Sequence, residues 1–120
     1  MEFKMKLLIL LLIARFSFAI DIYDLQVKIG DKLFHDILSL KVINTDTGEI
    51  RGEFEVENVF KVPVFGILKN GHLEGYFIAN ENGEDFKVDL RASFTSQCTM
   101  EGSLSQVEVS FANFIGKKRG

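Results

Sequence analysis

Apolar and polar residues alternate along most of the chain beyond residue 20. Ile50-Arg-Gly-Glu-Phe54-Glu-Val56-Glu57 sets apolar groups on one face and charges on the other, and Phe86-Lys-Val88-Asp-Leu90-Arg-Ala92-Ser-Phe94 does the same. Leu73, Gly75, Phe77 and Ala79 form another such row, followed by Met100, Gly102 and Leu104, and then Val107, Val109 and Phe111. A period of two predicts strands with one wet face, which belong to antiparallel sheets. Turn signals separate the runs. Asn70-Gly71 and Asn82-Gly83 tolerate the positive φ of tight hairpins, and Gly30-Asp31, Thr45-Asp46-Thr47-Gly48, Glu57-Asn58, Ser96-Gln97 and Ser105-Gln106 mark the remaining reversals. The predicted strands cover residues 20–29, 32–44, 49–57, 59–69, 72–80, 85–95, 98–105 and 107–115.

Such short connections force sequential strands to pair, so the predicted fold is an all-β, antiparallel up-and-down meander of about eight strands. Three segments share one pattern: Ile50-Arg-Gly-Glu-Phe54, Leu73-Glu-Gly-Tyr-Phe77 and Met100-Glu-Gly-Ser-Leu104. In each the glycine stands in the inward phase, where it marks a bend or a close approach of backbone. Bends of this kind curl a meander into a closed or nearly closed barrel, and closure removes exposed sheet edges. The alternatives are an open curled sheet or a two-layer sandwich. A second ambiguity is local: Leu33, Phe34, Ile37, Leu38 and Lys41 also fit one face of a short helix near 32–39, with Asp31 as its N-cap. Pro63 lacks an N–H and is expected at a bulge or an unpaired position of the fourth strand.

The first residues break the alternation. Lys4 and Lys6 precede the unbroken apolar run Leu7 to Ala14, Arg15 closes it, and Ser17 and Ala19 supply small residues at the −3 and −1 positions of a cleavage site. This layout predicts a cleaved secretory signal over 1–19, whose apolar run is too short to span a bilayer, which takes about 20 residues. The rest, 20–120, is predicted to be a single β domain ending in a short basic tail from Lys117, in a secreted, periplasmic or other extracytoplasmic setting, with no transmembrane segment in the mature chain. Removing Lys4, Lys6, Arg15 and Glu2 turns 14 basic and 17 acidic residues into 11 and 16, a net charge of −5. An acidic domain whose only basic cluster is Lys117-Lys118-Arg119 argues against nucleic acid as a partner. Cys98 is the single cysteine, so no internal disulfide forms and stability must come from the core.

The expected interior is apolar throughout: Leu38, Leu40, Val42, Phe54, Val56, Phe60, Val62, Val64, Leu73, Phe77, Ala79, Phe86, Val88, Leu90, Ala92, Phe94, Met100, Leu104, Val107, Val109 and Phe111. One use for it is carriage of a small hydrophobic ligand, with Phe54, Phe77, Phe86 and Phe94 as lining and Gly52, Gly75 and Gly102 freeing volume. With no polar group in that set, a polar ligand is not expected. On the wet face Phe65, Tyr76 and Ile78 form a candidate partner surface, for a second protein or for self-association. Gly71-His-Leu-Glu-Gly75-Tyr76 resembles a strand element of the avidin-type barrels; the resemblance implies barrel geometry and carries no site residue, since those barrels line their site with Trp and this chain has none.

Catalytic and metal-binding chemistry find no support in the spacing. His35 and His72 are the only imidazoles, and the turn order sends them to opposite ends of the sheet, roughly 25 Å apart by strand rise. The acidic turns around Asp46 and Glu84 also fall at opposite ends, and neither alone supplies the oxygens a calcium ion needs. The expected function is therefore an exported, non-catalytic interaction module with no cofactor and no metal, or alternatively a carrier of a small hydrophobic ligand.

Overall fold

The computed structural model describes residues 20–120. The signal predicted over 1–19 lies outside the described residues. Eight strands, β1 (Asp21–Ile29), β2 (Lys32–Asn44), β3 (Glu49–Val56), β4 (Phe60–Lys69), β5 (His72–Glu81), β6 (Glu84–Phe94), β7 (Thr99–Gln106) and β8 (Val109–Lys118), close into one antiparallel up-and-down barrel in sequence order. Closure is made by β8 against β1, from Tyr23 opposite Lys118 to Lys28 opposite Asn113. Every strand therefore has a partner on each side, although β4 and β5 pair only from Phe65–Lys69 to His72–Tyr76.

Residues 32–39 are strand, not helix. Their helical spacing loses because β2 finds a ladder on both sides, Lys32–Leu40 against β1 and Asp36–Asn44 against β3. The turns follow the sequence chemistry. Asn70-Gly71 and Asn82-Gly83 both have positive φ at each residue, the backbone of a type I′ hairpin.

The core runs through the barrel and draws on every strand, with Leu25, Leu38, Ile50, Phe54, Val64, Leu73, Leu90 and Met100 almost fully buried. The alternating pattern also buries Tyr23, Leu25 and Val27 of β1, which the expected interior omitted. Its contents differ from the expected interior in two places. Val107, Val109 and Phe111 are exposed, at 84%, 69% and 40%. The last hairpin turn sits at Val107-Glu108, not at Ser105-Gln106, as their φ of 49° and 64° shows. Leu104 then faces Ala112 while Ser105 faces Ser110, so Phe111 is the extra residue of a β-bulge. Beyond the bulge, Ala112 and Phe114 supply the core instead. Nor is the interior the wholly apolar one expected: Asp36, one inward position before Leu38, is buried at 4% exposure.

The repeated glycines have one geometric cause. A methyl added at Gly52 would run into the carbonyl oxygen of Ser39, at Gly75 into that of Phe65, and at Gly102 into that of Arg91. In each case the preceding strand crosses tightly beneath the glycine, which is how the sheet curls. At Gly102 the space is also filled by the ring of Phe114, its cross-strand partner. Since backbone cannot retreat as a flexible side chain can, Gly52→Ala is expected to cost about 3 kcal/mol, by overpacking at a strand crossing. Chemical denaturation of the two proteins checks this.

Candidate functional site

The barrel has two distinct ends. One carries the turns at Gly30-Asp31, Glu57–Val59, Asn82-Gly83 and Val107-Glu108; we call it the turn end. The other carries the remaining connections and both termini of the described chain. The predicted lining residues do not converge on one place. Phe54 and Phe77 stack in the centre, ring centroids 4.7 Å apart and planes 14° from parallel. Phe86 lies near the start of β6 at the turn end, while Phe94 closes it at the far end, edge-on to Tyr23 at 5.8 Å. Burial, with Asp21 and Cys98 nearby, pushes the Tyr23 phenol up to about 12.

The turn end holds two features that alternation alone did not reveal. The first is an apolar rim. Ile29, Leu33, Phe34, Val59, Val107, Val109 and Phe111 are all substantially exposed, and three of the four turns and their flanks contribute them. Val107 is held at positive φ, a costly place for a β-branched side chain. The signal that could have found this rim was the Val107-Glu108 pair itself, which carries no turn residue and so reads as strand. Replacing Val107-Glu108 by Asn-Gly is expected to raise stability by about 1–2 kcal/mol through relief of that backbone. Thermal unfolding measures it.

The second feature is Asp36. It occupies the inward row with Leu25 of β1 and Val56 of β3 directly opposite, neither of which can donate a hydrogen bond from its side chain. Its Oδ1 is buried without a hydrogen-bond partner, and burial pushes the carboxyl up to about 6, against a smaller opposing pull from His35. The same row continues to Phe60 and stops at a break in the wall. Only Phe65–Lys69 of β4 pair with His72–Tyr76 of β5, leaving Phe60–Val64 and Phe77–Glu81 unpaired with each other. Pro63, which has no N–H to give, lies in that unpaired half, as expected from its chemistry.

On the wet face, Phe65 and Tyr76 do come together. They are cross-strand partners with ring centroids 5.7 Å apart, and Arg51 and Lys87 lie over the two outer rings at 4.9 and 4.7 Å. Ile78 is exposed two residues further along β5. Beside this row runs an open groove of about 850 Å³ across β3–β6. Its floor is the backbone of the inward register row Ile50, Gly66, Gly75, Leu90, and its second wall is Glu49, Ile67, Glu74 and Arg91. Glu74 and Arg91 stand directly opposite each other yet form no ion pair among the described residues.

The histidines are held by different partners. The His35 ring lies between Asp24 Oδ1 at 3.0 Å and Glu57 Oε2 at 3.3 Å. Carboxylates only accept, so both ring nitrogens donate and the imidazolium is favoured, which raises its pKa. Arg119 grips the same Asp24 through Nε and Nη2, and these contacts together hold that carboxyl down at about 2. The basic cluster is thus built into the wall: Lys117 and Lys118 extend β8, and Lys118 pairs with Asp21 at 3.2 Å. His72 Nδ1 lies 3.0 Å from Ser93 Oγ on the open sheet face. Among the described residues no acid is hydrogen-bonded to the other ring nitrogen of His72.

Comparison with known proteins gives no match to any family model, any curated protein or any solved structure. Among the described residues no helix is long and apolar enough to cross a membrane.

Proposed function

We propose that this chain is an exported, non-catalytic binding module that takes a protein partner on the outer face of β3–β6. The observation that carries this reading is the Phe65–Tyr76 pair beside the open groove. Aromatic rings set next to unpaired opposite charges, here Glu74 and Arg91, offer a partner both apolar contact and orientation. Arg51 and Lys87 hold the rings in place, so little order remains to be lost on binding. The test is a paired pull-down from the native envelope or medium with the wild type and Phe65→Ser/Tyr76→Ser. Both side chains lie on the outer face, so the variant is expected to keep its fold and lose at least about tenfold in partner recovery, a 1.4 kcal/mol effect. Equal recovery by a folded variant removes this face from the function.

A second reading, carriage of a small hydrophobic molecule, is favoured by a separate observation, the apolar rim around the turn end. Clustered apolar exposure at one end of a barrel is where a ligand from water would first lodge.

A further inference from the structure

We infer that the turn end binds a small amphiphilic amine, its apolar body against Ile29, Phe34, Phe60 and Phe86 and its ammonium group on the Asp36 carboxylate. The inference rests on the carrier reading and adds the chemistry of the ligand's head.

Asp36 follows Phe34 in the inward phase of β2, so the carboxyl lies one layer beneath the exposed Phe34 ring. Phe60, in the same register row as Asp36 and Val56, and Phe86, near the start of β6, are half-buried and pack on the core, so aromatic rings that solvent reaches line this layer at the turn end. The break between Phe60–Val64 and Phe77–Glu81 borders this layer, on the row that joins Asp36 through Val56 to Phe60. In the proposed complex the apolar body covers the rim and the head reaches down to the Asp36 carboxyl.

The head must be a donor and a cation. A buried acceptor with no partner costs about 1–3 kcal/mol, more when charged, and the residues across from Asp36 have nothing to give. Burial raises the Asp36 pKa, but only to about 6, so at neutral pH the group is mostly ionised and lacks a counter-ion as well as a donor. His35, the side chain whose charge acts on Asp36, faces outward and is already shared by Asp24 and Glu57. The turn end as a whole is acidic: Glu57, Glu81, Glu84, Asp85 and Glu108 outweigh Lys28, Lys32 and Lys61. That field draws cations and repels fatty carboxylates and phosphate headgroups. A neutral amphiphile would fill the mouth and leave the charge unpaired. An alkyl or aryl amine satisfies every one of these conditions.

The test is isothermal titration of the intact protein with octylamine, octanol and octanoate, repeated with Asp36→Asn. The expected result is octylamine bound at least about tenfold tighter than octanol, octanoate not bound, and the preference for the amine abolished in Asp36→Asn with octanol affinity retained. Equal binding of octylamine and octanol overturns the amine inference and leaves the carrier reading standing. No binding of any of the three overturns both. Should Asp36→Asn fail to fold, the carboxyl carbon of Asp36 in labelled wild type decides: octylamine must lower the pH at which it titrates, and an unmoved midpoint overturns the inference.

Discussion

Replacing Asp36 by asparagine is expected to stabilise the barrel at neutral pH, by up to about 3 kcal/mol, and to leave it unchanged near pH 4. The sign follows from the proton. Asp36 holds its proton up to about pH 6 in the folded chain, against an ordinary value of 3.8 in the unfolded one. Between those values the folded state binds more protons, so stability falls as pH rises through the window. The loss is complete about one unit above pH 6, and the interval of roughly two units corresponds to about 3 kcal/mol at 1.36 kcal/mol each. Asparagine matches the shape and cannot ionise. His35, whose pKa its carboxylate partners Asp24 and Glu57 raise, contributes stability present below that pKa and lost above it, and apart from its small mutual pull with Asp36 this contribution is common to both proteins. Urea unfolding of both at a series of pH values measures the effect. Parallel curves would mean that water or a backbone group satisfies the buried carboxylate.

Phe54→Ala is expected to cost about 4 kcal/mol, a large share of the 5–15 kcal/mol that holds a domain of this size together. Phe54 is 1% exposed and stacked on Phe77 in the middle of the barrel. Its removal leaves a void between strands that cannot close, because β3 is fixed on both sides by its ladders to β2 and β4. The lost stacking adds to the lost burial. Phe86→Ala, half-buried at the mouth, is expected to cost far less, since water already reaches that ring. The contrast between the two, read by thermal unfolding, separates the filled centre of the barrel from its open end. Similar losses would mean that the mouth is packed as tightly as the centre.

Much of this architecture was legible because alternation and turn chemistry are local. Asn70-Gly71 and Asn82-Gly83 admit only tight hairpins, and the strands they join had their phases written in Leu73, Phe77, Val88 and Leu90. The inward glycines were legible as close approaches for the same reason. The misreadings came where local signals were weak or competed. Val107-Glu108 has no turn former, so the chain read as strand through the reversal, and the bulge at Phe111 then shifted the phase of what followed. Asp36 lies in a stretch that fits a helix face as well as a strand, and only the ladders from β1 and β3 decide that its carboxyl points inward. The candidate sites were less legible than the fold. Cross-strand neighbours such as Phe65 and Tyr76 can be guessed from a hairpin, whereas the apolar rim gathers residues from three turns far apart in sequence.

Native mass spectrometry of the protein recovered from its own source, before any detergent, tests most directly the claim that this barrel exists to bind. The expected spectrum shows residues 20–120 carrying a reproducible companion, either a protein partner or a small-molecule adduct. A bare monomer in every preparation would contradict the account.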